Sequence, residues 1–303
     1  MTTGWPRIER SAVEVLLQSE RYLQDICASS YSTNAILMYH SVGERGLYGN
    51  VSVERFRRDM TFLDEFFEIV DLPAVLDDSP RASDVRSDRS RKVAVSFDDG
   101  YENFYTQALP VVRDLDVPVT VFVSPGFLRG RNREFTYRFV RSPSVGKDHN
   151  DPTDRRSPSP GTLRLMSDAQ LRNVINDDRV TIGNHTRLHP DLSAITNRDD
   201  LAADITAAER LLEDHFDITV DRFAYPYGRY NERALDLVRR SHDLAVTTNP
   251  GLIRTDTDRY QLPRISAHEP ESRLRWHLSD LRRSAIGWGK RALEHRKESG
   301  RRS

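Results

Sequence analysis

The chain of 303 residues is 37% hydrophobic and 30% charged, with a formal net charge of −1. No run approaches the ~18 apolar residues that a membrane-spanning helix needs, so no transmembrane helix is expected. Cys27 is the only cysteine, which excludes an internal disulfide and a metal site built from several thiolates. Because the first residues include Arg7, Glu9 and Arg10 and lack an apolar core, no secretory signal is evident and a cytoplasmic location is expected.

Strands and helices are predicted to alternate after a helical extension over residues 1–31. Predicted strands are residues 35–40, 68–72, 93–97, 117–123, 179–183, 222–225 and 244–247, and predicted helices are residues 53–67, 102–115, 167–175, 201–216 and 231–240. This alternation predicts an α/β fold in which a parallel sheet closes, or nearly closes, into a barrel.

Two segments do not fit this alternation. Residues 128–165 are rich in Arg, Ser, Pro and Asp without periodicity, so they are expected to form either a substrate-facing lid or a disordered insertion. The tail, residues 271–303, carries ten Arg or Lys against four Asp or Glu and a stripe of apolar residues. We interpret it as a helix that closes the domain, and the alternative is a basic amphipathic helix in peripheral contact with an anionic membrane surface.

Two adjacent carboxylates follow the predicted strand that begins at Val93, in the sequence Val-Ala-Val-Ser-Phe-Asp98-Asp99-Gly100. Carboxylates are costly to desolvate without partners, and successive residues of an extended chain point to opposite sides. One of the pair can therefore bind a cation while its neighbour handles protons. The alternative is a structural role in which Asp99 caps the segment after Gly100.

Two histidines four residues apart follow another predicted strand, in Asn184-His185-Thr-Arg-Leu-His189-Pro190. A helical turn would place both imidazoles on one face, where they can bind one metal ion. In a β/α barrel they would share the carboxyl-terminal rim with Asp98 and Asp99. Two histidines and one carboxylate leave coordination positions for water and substrate, as a catalytic site requires.

These two motifs resemble the first two motifs of the polysaccharide deacetylases (carbohydrate esterase family 4, the NodB-homology domain). The segment Phe223-Ala-Tyr-Pro-Tyr227-Gly resembles the third motif, and the resemblance runs from about residue 35 to residue 265. It implies a distorted (β/α) barrel of seven strands over residues 32–270, between the extension 1–31 and the tail 271–303. It also implies metal-dependent removal of N-acetyl groups from a polysaccharide or glycoconjugate, with no nucleic-acid partner.

The resemblance implies a role for each motif residue. The implied metal ligands are Asp99, His185 and His189, for a divalent ion expected to be zinc, with cobalt or nickel as alternatives. Asp98 would be the general base, and the backbone N–H of Tyr227 would stabilise the tetrahedral oxyanion.

The general acid is where the chain departs from the commonest family pattern, because the usual late Leu-x-His motif has no clear equivalent. Met38-Tyr-His40 instead resembles a circularly permuted subgroup that includes poly-N-acetylglucosamine deacetylases, in which this histidine is the acid. We therefore assign His40, with His268 as the fallback and a core histidine as the structural alternative. The third motif has Ala224 in place of its frequent arginine, and Arg264 resembles the arginine that compensates in the same subgroup.

The sugar-stacking tryptophan of the family's fourth motif is also missing. Tyr101, Tyr225 and Phe127 are the candidate substrate-binding residues, although each could equally be a core residue.

Three other functions compete with an N-deacetylase. The chain could hydrolyse another non-peptide C–N bond in a small amide. Adjacent Asp residues could also bind a cation and a sugar nucleotide in a glycosyltransferase, but such sites prefer oxygen ligands, which the histidine pair argues against. A non-catalytic glycan-binding module is the third alternative, and it leaves the set of Asp and His residues unexplained.

Overall fold

A curled, mostly parallel sheet organises the molecule. The computed structural model describes residues 33–43, 49–77, 91–127, 134–136 and 162–278. The strands within these residues are Ala35–Tyr39 (β1), Ser41–Val42 (β2), Asn50–Val51 (β3), Glu68–Ile69 (β4), Lys92–Phe97 (β5), Val119–Val123 (β6), Glu134–Thr136 (β7), Thr162–Arg164 (β8), Val180–Asn184 (β9), Arg222–Ala224 (β10), Leu244–Val246 (β11) and Ile265–Ser266 (β12).

Seven strands form the main sheet in the order β11-β10-β9-β6-β5-β1-β12, and β4 pairs with the start of β5. All pairings along this path are parallel. The two ends of the path approach each other, because the segment that leads into β12 hydrogen-bonds to β11 through Leu262. The expected α/β fold with a distorted barrel is therefore confirmed, with β4 as an eighth strand.

Most residues of the central strands are apolar, as expected for a sheet that helices or loops cover on both faces. Every residue of β1, β5 and β6 is buried. One face carries a cluster that includes Ile36, Ala94, Phe122 and Ala224. The opposite face carries Phe223 and Ala245 against the helices that follow β9 and β10.

The α-helices within the described residues are Val53–Phe66 (α1), Leu109–Asp114 (α2), Asp168–Ile175 (α3), Arg198–Asp204 (α4), Thr206–Phe216 (α5), Glu232–Ser241 (α6) and Glu271–Leu278 (α7). Their starts follow local sequence signals. Ser167 and Gln170 form a capping box at α3, and Asn231 accepts the Ala234 N–H at the start of α6. Residues 201–216 were expected to form one helix, but the chain turns at Ile205 and forms α4 and α5.

The strand expected over residues 68–72 ends at Ile69. Asp71 accepts the Leu72 N–H and a proline follows, which favours the 3₁₀ turn Leu72–Leu76 instead. Within the insertion at 128–165, β7 and β8 form an antiparallel pair, so these six residues are neither irregular nor disordered. The rest of the insertion between them lies outside the described residues, and its role as a lid stays a prediction.

Residues 34–269 form one compact unit, and Thr33 and residues 270–278 belong to a second. The extension 1–31 and the tail beyond Leu278 lie outside the described residues, so the three-part division and the membrane contact of the tail stay predictions. Among the helices that the structure describes, none is both long and apolar enough to cross a membrane.

Candidate active site

The polar residues singled out from the sequence gather at one edge of the sheet. Parallel strands bring their carboxyl ends to one rim, and the loops that follow them meet there. The residues concerned are His40 after β1, Asp98 and Asp99 after β5, His185 and His189 after β9, Tyr227 after β10, and Arg264 and His268 on either side of β12.

The turn after β5 separates the two carboxylates. Asp98 continues the strand, and its N–H donates to the Tyr39 carbonyl (3.0 Å). Asp99 and Gly100 then adopt left-handed conformations, with φ of 74° and 68°. A Cβ on Gly100 would lie 2.7 Å from a Val123 methyl carbon, so only glycine fits there. The chain turns at Asp99, and the side chains of Asp98 and Asp99 therefore contact different partners.

Asp98 is paired with Arg264 in a buried two-point ion pair. The two guanidinium nitrogens donate to the two carboxylate oxygens at 2.7 Å each, and the side chains are 3% and 0% exposed. Burial raises the pKa of Asp98, but the Arg264 guanidinium and the His185 imidazole outweigh it, so the pKa lies below its ordinary value. Asp98 is therefore an ionised carboxylate in a fixed orientation.

Arg264 itself donates two further hydrogen bonds. Its Nε donates to the Thr247 carbonyl (2.8 Å), and one terminal nitrogen also donates to the Ser96 hydroxyl (3.1 Å). The Ser96 hydroxyl in turn donates to the Leu37 carbonyl (2.7 Å). Residues of β1 and β5 and the residue after β11 thus hold the guanidinium in the orientation in which it binds Asp98.

Asp99, His185 and His189 converge on one point. Asp99 Oδ1 lies 3.4 Å from His185 Nε2 and 3.3 Å from His189 Nε2, and the three ligand atoms lie within 4.8 Å of one another. Burial raises the pKa of Asp99, but its contacts with the two imidazoles outweigh this, and the pKa lies well below its ordinary value. The site therefore presents a buried negative charge to two imidazole nitrogens.

These atoms fit a divalent metal ion. His185 Nδ1 lies 2.8 Å from the Ala224 carbonyl oxygen, which can only accept, so Nδ1 carries a proton and Nε2 is the ring nitrogen that faces Asp99. Two atoms that bind one tetrahedral ion at ~2.0–2.1 Å are about 3.3–3.4 Å apart. Asp99 Oδ1 lies at this separation from Nε2 of each histidine. In the neutral form of the ring, with its one proton on Nδ1, His185 Nε2 is free to bind a cation shared with Asp99.

Two tyrosine hydroxyls contact the ligands from outside. His189 Nδ1 lies 3.1 Å from the Tyr227 hydroxyl, and the Tyr101 hydroxyl hydrogen-bonds to Asp99. Contacts of this kind orient metal ligands and raise their affinity. From the sequence, Tyr227 is expected to act through its backbone N–H and Tyr101 by stacking on a sugar, so neither hydroxyl contact is predicted. Neither has a local sequence signal, because each depends on how two loops meet.

His40 lies close enough to Asp98 and Asp99 to contribute to the lowering of the pKa of both carboxylates. Its Nδ1 is buried and has no hydrogen-bond partner among the described residues, from which the nearby stretch 44–48 is absent. His268 occupies the matching place on the neighbouring strand, since β1 and β12 pair Met38 with Ser266. Burial and the nearby His40 lower the pKa of His268, and its Nδ1 contacts the Ser266 hydroxyl. The structure thus brings both candidate acids to the site.

The three candidate stacking residues have different positions. Phe127 is half-buried and packs with Tyr101, which is 7% exposed. Tyr225 is 0% exposed and lies in the cluster with Phe223 and α6, so its expected role in stacking on a sugar is wrong for this structure. The reason is the strand alternation, which turns Ala224 towards the cluster with Ile36 and Phe122 and Tyr225 towards the helices.

Comparison with known proteins agrees with this geometry. The family model for polysaccharide deacetylase matches residues 86–244. The chain belongs to the polysaccharide deacetylase family. It is therefore a hydrolase of the deacetylase type.

One relative and two solved structures show how far the likeness extends. YxkH of Bacillus subtilis (strain 168) is 23% identical over 264 residues, which is 85% of this chain and 79% of YxkH. The structure of IcaB from Ammonifex degensii superposes with a TM-score of 0.62 at 19% identity, over 82% of this chain and 99% of IcaB. The deacetylase PplD of Streptococcus pyogenes superposes with a TM-score of 0.58 at 20% identity, over 78% of this chain and 92% of the PplD chain. At these identities the structural matches establish the fold.

Proposed function

We propose that this protein is a metal-dependent N-deacetylase that removes acetyl groups from an N-acetylated polysaccharide or glycoconjugate. Membership of the family supports the reaction class. The observation that carries the proposal is the pairing of a three-ligand cluster with a separate, ionised carboxylate. Metal binding and proton transfer need different groups, and Asp99 and Asp98 differ in their partners.

Asp99, His185 and His189 would hold the metal ion, and zinc suits one carboxylate and two imidazoles. When bound, a divalent ion here supplies positive charge that polarises the acetyl carbonyl and makes the attacking water more acidic. The Tyr227 and Tyr101 hydroxyls keep His189 and Asp99 in position. Cobalt or nickel would satisfy the same ligands.

Asp98 would act as the general base. The water forms the new C–O bond to the acetyl carbonyl carbon while its proton passes to Asp98, which is ionised because Arg264 offsets the cost of burial. Arg264 also prevents the carboxylate from turning towards the metal ligands, because it binds both oxygens. A base within hydrogen-bond reach of the water contributes about 10²–10⁴-fold to the rate.

The sugar amine leaves only after it gains a proton. His40 would give this proton to the nitrogen as the C–N bond breaks, which yields acetate and the free amine. Its place after β1, in range of both carboxylates, supports this assignment, and His268 is the second candidate. The N–H of Tyr227 would donate to the oxyanion from the left-handed turn Pro226–Gly228, where Tyr227 has φ of 58°.

Acetate release tests the proposal. The metal-free protein, reloaded with zinc, cobalt or nickel, is incubated with N-acetylglucosamine oligomers and with a poly-N-acetylglucosamine, and acetate and free amine are counted together. Equal amounts of both, dependent on metal, are expected. Binding without acetate release would indicate a glycan-binding module, consumption of a sugar nucleotide would indicate a transferase, and turnover of small amides alone would indicate a different C–N hydrolase.

A further inference from the structure

The loop that carries both histidine ligands has a strained backbone. Between Asn184 and His189, two residues that are not glycine have left-handed conformations: Thr186 with φ of 63° and His189 with φ of 56°. Such conformations are unfavourable, and most of all for a β-branched residue such as Thr. They persist only where the surroundings hold them. Contacts outside the loop must therefore determine where the two imidazoles lie.

The Asn184 side chain contacts the first left-handed residue of this loop, in addition to backbone hydrogen bonds that join the loop to Val123, Gly126 and Asp204. Its side chain is fully buried, and its Oδ1 accepts the Thr186 N–H (2.9 Å). Thr186 continues the path, because its hydroxyl oxygen accepts the His189 N–H (3.0 Å). The other end of the Asn184 amide donates to the Ile205 carbonyl (2.9 Å) and contacts His242 Nε2 (3.1 Å). One amide thus links the ligand loop to α4 and to the end of α6.

The direction of each hydrogen bond follows from the donors present. Because the Asn184 amide nitrogen has two N–H groups and Ile205 takes one, His242 Nε2 accepts the other. His242 Nδ1 must then carry the proton, which it donates to the Ser241 hydroxyl oxygen (2.7 Å). That hydroxyl donates to the Leu237 carbonyl (3.1 Å). Every buried donor along this path has an acceptor.

A different orientation of the Asn184 amide would break the path. Turning it over would place Oδ1 against the Ile205 carbonyl and its N–H groups against the Thr186 N–H. The Ile205 carbonyl and the Thr186 N–H thus set the orientation of the amide, and His242 supports that orientation by accepting its second N–H. His242 is only 4% exposed, and burial lowers its pKa to about 4, so its ring is neutral and Nε2 accepts at neutral pH.

We propose that His242 is a positioning residue for the metal centre, which acts through Asn184 and Thr186 to hold His185 and His189 in place. The proposal rests on the proposed function, since it assumes that these histidines bind metal. His242 lies 58 residues beyond Asn184 in sequence and does not reach the ligands themselves. Its contribution is to metal affinity and ligand geometry rather than to proton transfer.

Two substitutions at His242 test this role. His242→Leu removes the acceptor, whereas His242→Gln provides a carbonyl oxygen near the place of Nε2. The zinc dissociation constant is measured by competition with a chromophoric chelator, and the visible spectrum of the cobalt form reports ligand geometry. We expect His242→Leu to weaken zinc binding about 10–100-fold and to alter the cobalt spectrum, and His242→Gln to restore both.

A general loss of stability must be separated from a loss of positioning. Ser52→Ala removes the N-cap of α1 and lowers the free energy of unfolding of the metal-free protein, but it should leave zinc affinity unchanged. If His242→Leu does not fold, Asn184→Ala removes the same link and should weaken zinc binding similarly. Wild-type zinc affinity in the folded His242→Leu or Asn184→Ala variant would overturn the inference. Failure of the wild-type protein to bind zinc would instead overturn the proposed function.

Discussion

Replacing Arg264 by methionine should expose the cost of burying Asp98. The guanidinium donates to both Asp98 oxygens at 2.7 Å, and neither side chain is more than 3% exposed. Removing one partner of a buried ion pair leaves an uncompensated charge, which costs about 3–5 kcal/mol. We expect Arg264→Met to lose that much free energy of unfolding, measured by urea denaturation of the metal-free protein at pH 7.

A surface pair provides the matched control. Arg240 and Asp236 form an i,i+4 ion pair on α6, with side chains 63% and 61% exposed. Such a pair contributes about 0.3–0.5 kcal/mol, so Arg240→Met should change the free energy of unfolding by no more than that. Comparable losses in the two variants would refute the reasoning that burial sets the magnitude.

The pH dependence of the loss in unfolding free energy provides an independent test of whether the buried Asp98 charge causes that loss. In the native protein the pKa of Asp98 is below its ordinary value of 3.8, so the ion pair contributes stability above that pH and loses it as pH falls through the native pKa. Without Arg264, only the nearby imidazoles oppose the effect of burial, so the pKa of Asp98 rises. The deficit of Arg264→Met should therefore be greatest at neutral pH and shrink as pH is lowered towards 4. A deficit independent of pH would show that lost packing, and not the buried charge, is responsible.

Four further substitutions test the assigned roles. Asp98→Asn should lower the rate of acetate release about 10²–10⁴-fold while zinc content stays at one per chain, and loss of zinc would mean that Asp98 is a ligand. His189→Ala should abolish stoichiometric zinc binding, and an unchanged metal analysis would remove it from the ligand set. His40→Ala should slow acetate release with zinc retained, whereas His268→Ala should not; the reverse pattern would make His268 the acid.

The sequence by itself determined the parts of the site that are local. Two short segments carry the site, and each directly follows a strand that is recognisable from a run of apolar residues: Asp98-Asp99-Gly100 and residues 185–189. In each segment a short turn determines where the Asp or His side chains point. The alternation of strands and helices also predicted the parallel sheet. These features could be predicted because they depend on residues a few positions apart.

Only the tertiary structure decided the contacts between distant segments. Strand alternation and register place Tyr225 among the helices and Ala224 on the opposite face of the sheet, and a shift of one residue would exchange them. The hydroxyl of Tyr227 reaches His189 because the loops after β9 and β10 meet at one rim, and His242, between α6 and β11, reaches Asn184 at the end of β9. No local sequence pattern predicts these contacts between distant segments. A hydrogen bond depends on the final positions of both partners, which the whole sheet sets.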